Sequence, residues 1–72
     1  MTIEYIDVEV GKSVFINHGN FNEEIPCVGD IVSVKIVDHW YEYIVTKRKW
    51  DYCYNADGKQ YFDAVLIYLK RP

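Results

Sequence analysis

The chain of 72 residues is long enough for one domain and too short for two, so residues 1–72 are taken as a single domain. Half of the residues are apolar, 17% are aromatic and 26% are charged, which is typical of a folded globular chain and excludes a disordered one. The net charge of −3 is uneven, with −6 on residues 1–46 and +3 on residues 47–72. No apolar run approaches the roughly 20 residues of a membrane-spanning helix, and the amino terminus is acidic; we expect a cytoplasmic protein with no signal peptide and no membrane contact.

The first element is predicted to be a β-hairpin. Apolar residues alternate along the first ten positions, and the side predicted to be buried consists of Ile6, Val8 and Val10. Gly11-Lys12 places glycine at the first position of a two-residue turn, as in a type II′ hairpin. The segment 13–17 would then return as the second strand.

The next segment is a loop followed by a strand. Residues 18–30 contain two glycines, one proline and two asparagines and show no periodicity, which predicts one long loop. Residues 31–37, "IVSVKIV", alternate as a strand does. Asp38-His39 is predicted to be a tight turn, because aspartate side chains accept a bond from the backbone two residues further on.

A change of side is predicted in the following strand. The large apolar residues fall on odd positions at Tyr41, Tyr43 and Val45, and on even positions from Trp50 onward. Because side chains alternate with a period of two, this switch requires an extra residue. We therefore predict a β-bulge or sharp bend within residues 46–49.

The last element is predicted to be a second hairpin. Asp57-Gly58 is typical of a two-residue type I′ turn, which would place Tyr54 opposite Tyr61, Tyr52 opposite Asp63 and Trp50 opposite Val65 in an aromatic ladder. Trp50 is expected to be a core residue, whereas the ladder as a whole is either core or exposed binding surface. Residues 64–69 are apolar on both sides of a strand. A C-terminal helix over the same residues is the structural alternative.

Together these elements predict an all-β fold. Five or six short strands, hairpin connections and one long loop over residues 18–30 are typical of a small antiparallel barrel, SH3-like or OB-like. The alternative is an α+β fold with a C-terminal helix.

No catalytic, cofactor or metal site is predicted. Cys53 with His18 or His39 as base lacks the local signals of an activated nucleophile. Adding Cys27 completes the donor types of a zinc site, but without the close spacing of known zinc motifs. Buried, reduced and poorly reactive thiols account for both cysteines.

Protein binding is the predicted function class. Tyrosine, tryptophan and arginine are enriched in interface hot spots, and the chain holds more aromatics than so small a core easily buries. A regulator, inhibitor or assembly component of the kind that phages and mobile elements encode would fit, as would self-association into a dimer. The predicted partner-binding residues are Trp40, Tyr41, Lys47, Arg48, Lys49, Trp50 and Tyr52.

Single-stranded DNA or RNA is the alternative ligand. Basic and aromatic residues are interleaved over residues 47–54, which suits phosphate contacts combined with base stacking. Against this, the sequence pI of about 5.2 is acidic, whereas nucleic-acid-binding domains usually carry a dominant basic surface.

Overall fold

A computed structural model describes residues 1–18 and 25–72. These residues form five strands and no helix, so the all-β prediction is confirmed and the alternative of a C-terminal helix is wrong. Accordingly, the described chain has no helix that could cross a membrane. The strands are β1 (Thr2–Asp7), β2 (Lys12–Asn17), β3 (Ile31–Ile36), β4 (His39–Tyr54) and β5 (Gln60–Lys70).

The strands form one mixed sheet in the order β2-β1-β5-β4-β3. β1 and β5 are parallel, and every other neighbouring pair is antiparallel. The sheet is curled into a half-barrel, with β2 and β3 as its two edges. The prediction of five or six strands in a curled sheet is therefore confirmed, but that of an antiparallel barrel is wrong in strand direction, because β1 and β5 are parallel, and the sheet is a half-barrel whose edges do not pair.

The hydrophobic core lies on the inner side of the curl. We call this the inner side of the sheet and the opposite one the outer side. The buried core residues are Ile3, Tyr5, Tyr43, Val45, Val65, Ile67 and Leu69. Val65, Ile67 and Leu69 are completely buried because β5 lies between β1 and β4. This central position also explains the apolar residues on its outer side, where Ala64 is buried as well.

The first hairpin differs from its prediction in the side of β1 that is buried and in the length of its turn. Asp7 is buried on the inner side, whereas Val8 and Val10 are exposed. The Asp7 carboxylate accepts hydrogen bonds from the backbone N–H groups of Glu9 (2.9 Å) and Val10 (3.3 Å). This local capping ends β1 one residue before Val8 and gives a four-residue turn over residues 8–11, closed by the Gly11 N–H on the Asp7 carbonyl (2.7 Å).

The predicted long loop is only partly described. Residues 19–24 lie outside the described residues, and 25–30 have no regular secondary structure apart from a turn at 28–29. Ile25 packs against the core. The Gly29 N–H donates to the Val45 carbonyl (2.8 Å) and the Val45 N–H to the Asp30 carbonyl (3.0 Å), so this end of the loop continues the pairing of β3 with β4.

The hairpin between β3 and β4 has the predicted strand but a turn displaced by one residue. Ile36 pairs with His39, so the loop is Val37-Asp38 rather than Asp38-His39. Val37 has a φ of 57°, a left-handed conformation that is unfavourable for a β-branched residue. Two-residue hairpins require positive φ at the first loop position, and here valine occupies it.

The predicted bulge in β4 is confirmed at Thr46. Val45 pairs with Leu69 and Lys47 with Tyr68, so Thr46 is an extra residue with no partner on β5. The bulge divides β4 into two halves with different neighbours: residues 39–44 pair with β3, and residues 47–54 pair only with β5.

The hairpin between β4 and β5 has a longer turn than predicted. Gly58, with φ of 82°, ends a three-residue loop over 56–58 that is closed by Asn55 and Lys59. Tyr54 therefore pairs with Gln60, not with Tyr61. A second register shift at Tyr61 cancels this displacement, and the predicted pairs of Tyr52 with Asp63 and Trp50 with Val65 are confirmed.

Candidate binding surface

The distal part of the second hairpin projects beyond the rest of the sheet. β1 begins to pair with β5 at Ala64, and β3 pairs with β4 only up to Ile44. Residues 51–63 are therefore a two-stranded ribbon. We call this ribbon, together with Trp50 immediately before it on β4, the arm. The molecule is correspondingly long, at 45 × 20 × 20 Å. Isolated two-stranded ribbons are only marginally stable in water, so a partner that covers the arm would also stabilise it.

The basic residues at the base of the arm are divided between the two sides of the sheet. Arg48 and Trp50 pair with the core residues Ile67 and Val65, so they lie on the inner side. Lys47 and Lys49 alternate with them and lie on the outer side. The predicted basic strip is therefore not one continuous surface.

Both outer lysines already have partners. The Lys47 Nζ lies 5.5 Å from the centroid of the Tyr68 ring, a cation–π distance. The Lys49 Nζ lies 3.7 Å from Asp51 Oδ1. Such exposed contacts contribute only about 0.2–1 kcal/mol each. Asp51 partly neutralises the charge of Lys49, whereas Lys47 keeps its charge beside the Tyr68 ring.

Three aromatic residues follow one another on the inner side of the arm and are exposed. The exposed fractions are 44% for Trp50, 52% for Tyr52 and 57% for Tyr54. The expectation that Trp50 is a core residue is therefore wrong. The predicted strand partners of Trp50 and Tyr52 are right, but that of Tyr54 is not. The reason for the exposure is geometric: Tyr52 and Tyr54 extend past both β1 and β3, and Trp50, whose partner Val65 still pairs with β1, has no β3 residue beside it.

The remaining predicted residues lie elsewhere. Trp40 is 67% exposed and lies next to the Val37-Asp38 turn, far along β4 from the arm. Tyr41 is half-buried on the inner side, where the Arg71 guanidinium carbon lies 5.7 Å from its ring centroid. The structure thus brings together Arg48, Trp50 and Tyr52, and separates them from Trp40, Tyr41 and the two outer lysines.

The partner-binding prediction missed three exposed aromatic residues of the arm, of which only Tyr54 lay within the strip 47–54 considered for nucleic acid. Tyr54, Tyr61 and Phe62 are 57%, 65% and 45% exposed. Tyr54 and Tyr61 were instead predicted to pair with each other across the hairpin. The length of β4 and β5 beyond their neighbours, which decides their exposure, depends on pairing between distant segments.

The two cysteines are free thiols in different environments. Cys27 is exposed and Cys53 is half-buried, so the expectation of two buried thiols is wrong for Cys27. No group of three or more histidine, cysteine or acidic residues in the described part of the chain could hold a metal ion.

Comparisons with protein-family models, curated proteins and solved structures give no match to this chain. The proposals below therefore rest on the physical chemistry of its own residues.

Proposed function

We propose that this chain is a non-enzymatic protein-binding module whose contact surface is the inner side of the arm. The observation that carries the proposal is the row of exposed aromatics at Trp50, Tyr52 and Tyr54, with Arg48 on the same side. Tryptophan, tyrosine and arginine are the residue types that dominate interface hot spots.

The size of this surface suits the centre of an interface. An aromatic side chain buries roughly 150–250 Å². About half of each of the three side chains is exposed, so together they offer roughly 300 Å² of surface to a partner. A standard interface buries roughly 800 Å² on each partner. The row therefore supplies over a third of one side, and the tip of the arm with Tyr61 extends it.

Single-stranded nucleic acid is the second candidate ligand. The alternation of Arg48, Trp50 and Tyr52 on one side is the arrangement that base stacking uses. It is less well supported than protein binding, because the two lysines that would add phosphate contacts lie on the opposite side. One arginine is a weak basis for an affinity that depends on phosphate neutralisation.

The experiment compares wild-type chain with Trp50→Ala and, as a matched control, Trp40→Ala. Both tryptophans are exposed, but only Trp50 belongs to the arm. Each form is used as bait in an extract of the host, and each purified form is tested for self-association by analytical ultracentrifugation. We expect Trp50→Ala to weaken the captured or self-associated complex more than tenfold, as hot-spot truncations do, and Trp40→Ala to leave it unchanged.

Two outcomes would contradict the proposal. Equal binding by wild type and Trp50→Ala would remove the arm from the interface. Alternatively, tryptophan fluorescence could detect micromolar binding of an oligothymidylate at about 0.15 M salt, a concentration that already screens surface charges. Loss of that binding in Trp50→Ala and a steep salt dependence would replace protein by nucleic acid as the ligand.

A further inference from the structure

The two edge strands of the half-barrel leave an open seam. β2 and β3 stand at opposite ends of the sheet order, so neither has a neighbouring strand on its outer edge within the described residues. No Cα atom of β2 lies within 8 Å of a Cα atom of β3. Paired strands are about 4.7–4.9 Å apart, which means that the edges cannot bond to each other. A seam that admits one strand would be about 9.5 Å wide.

A groove of about 300 Å³ lies at one end of this seam. Its apolar walls come from the turn before β2 (Val10), from the two edge strands (Val14 and Ile36) and from β4 (Tyr41 and Tyr43). The volume is at the lower limit of small-molecule sites, and suits one or two aliphatic side chains. The groove contacts the first residues of β2 and the last residue of β3. Residues 18–30 connect the end of β2 to the start of β3, so this connection begins and ends at the opposite end of the seam.

The charges at the groove are unbalanced in favour of an acidic ligand. Lys12 and Arg71 line it, and neither has an acidic side chain within 4.0 Å among the described residues. Asp7 also lines the groove, but its Oδ1 already accepts the N–H groups of Glu9 and Val10. Arg71 lies beside the ring of Tyr41, which holds its guanidinium near the mouth of the groove.

We propose that the seam accepts an extended segment of another protein, which inserts between β2 and β3 as a sixth strand. Its alternate residues are aliphatic and fill the groove, and acidic side chains follow beside Lys12 and Arg71. Because β2 and β3 run in opposite directions, the inserted strand is parallel to one edge and antiparallel to the other. Main-chain hydrogen bonds then supply affinity and the groove supplies specificity. This site is separate from the arm and goes beyond the proposed function.

The test uses a peptide of the proposed class. A capped octapeptide of three Thr-Val repeats followed by two glutamates is titrated into ¹⁵N-labelled chain. The control peptide ends in two lysines instead. We expect the glutamate peptide to shift the amide resonances of β2 and β3, to slow their hydrogen exchange, and to bind at least about tenfold more tightly than the lysine peptide, as two partly desolvated charge pairs imply.

A charge reversal and an arm variant make the test specific. Arg71→Glu should weaken the glutamate peptide and strengthen the lysine peptide, because Arg71 is exposed near the end of the chain and its replacement leaves the core intact. Trp50→Ala should change neither affinity, so a failure of the arm proposal and a failure of this one are distinguishable.

Three results would overturn the proposal. The first is the absence of binding by the glutamate peptide at millimolar concentration. The second is equal affinity for both peptides, or protection confined to the arm. The third is protection of β2 and β3 that rises with protein concentration before any peptide is added, which would assign the seam to a second copy of this chain.

Discussion

The hydroxyl of Thr46 donates a hydrogen bond to the carbonyl of Tyr68 at 3.2 Å, across the one position where β4 has a residue more than β5. The bond ties Thr46, which has no pairing partner on β5, to the backbone of β5. It also marks the division of β4, which pairs with β3 before this point and only with β5 after it.

Replacing Thr46 by valine should keep the bulge and remove the bond. We expect the free energy of unfolding to fall by about 0.5–1.5 kcal/mol, the usual contribution of one hydrogen bond, in chemical denaturation. Thr2→Val, the same change in a regular strand, is the control and should have a smaller effect. Deleting Thr46 leaves a regular ladder without a bend and should cost more than Thr46→Val. A deletion as stable as the wild type would show that the curl does not depend on the bulge.

Replacing Val37 by glycine should stabilise the chain. A non-glycine residue in the left-handed region costs about 1–2 kcal/mol, and Val37 has a φ of 57° with an 85% exposed side chain that contributes little packing. We expect the melting temperature to rise. Val10→Gly, at another exposed turn position without positive φ, should lower it, because glycine has more conformational freedom to lose. Similar losses in both variants would contradict the assignment of strain to Val37.

Substitutions in the core and in the arm should lower the free energy of unfolding by different amounts. Ile67 has no exposed surface, so Ile67→Ala should destabilise the chain by about 2–5 kcal/mol. For a chain of this length that is a large part of a total of roughly 4–11 kcal/mol. Trp50 is 44% exposed, and Trp50→Ala should cost clearly less than Ile67→Ala in urea unfolding. The reverse order would mean that the arm is packed more tightly than its exposure indicates.

The two thiols should react at different rates. Cys27 is exposed and Cys53 is half-buried, so a thiol reagent such as Ellman's reagent should give a fast phase and a slower one. Cys27→Ser should abolish the fast phase, and Cys53→Ser should leave it unchanged. A single fast phase that survives Cys27→Ser would contradict the burial of Cys53.

Local patterns predicted the features that depend on neighbours in the chain. The change from odd to even apolar positions predicted a bulge or bend within residues 46–49, and the bulge lies at Thr46. The alternation in residues 31–37 predicted β3, which ends at Ile36. In contrast, the burial of Asp7 was not predicted, because a strand pattern does not reveal that its carboxylate binds the backbone of the following turn.

Features that depend on distant pairing were not predictable in this way. Nothing local marks β1 and β5 as parallel neighbours, and this pairing decides where the arm begins. The exposure of Trp50 follows from a second distant boundary, the end of the pairing of β3 with β4 at Ile44, which is why its register was predicted correctly and its burial was not. Likewise, the seam between β2 and β3 is visible only once the strand order is known.

The parallel pairing of β1 with β5 has a consequence for folding of the chain during its synthesis on the ribosome. Ile3 pairs with Val65, and Tyr5 with Ile67, so β1 needs as its partner a strand that is synthesised about 60 residues later. At roughly 5–20 residues per second, several seconds of translation separate the two. During that interval β1 has only β2 as a neighbour in the final sheet, and the apolar side chains of Ile3 and Tyr5 are open to chaperones and to other nascent chains.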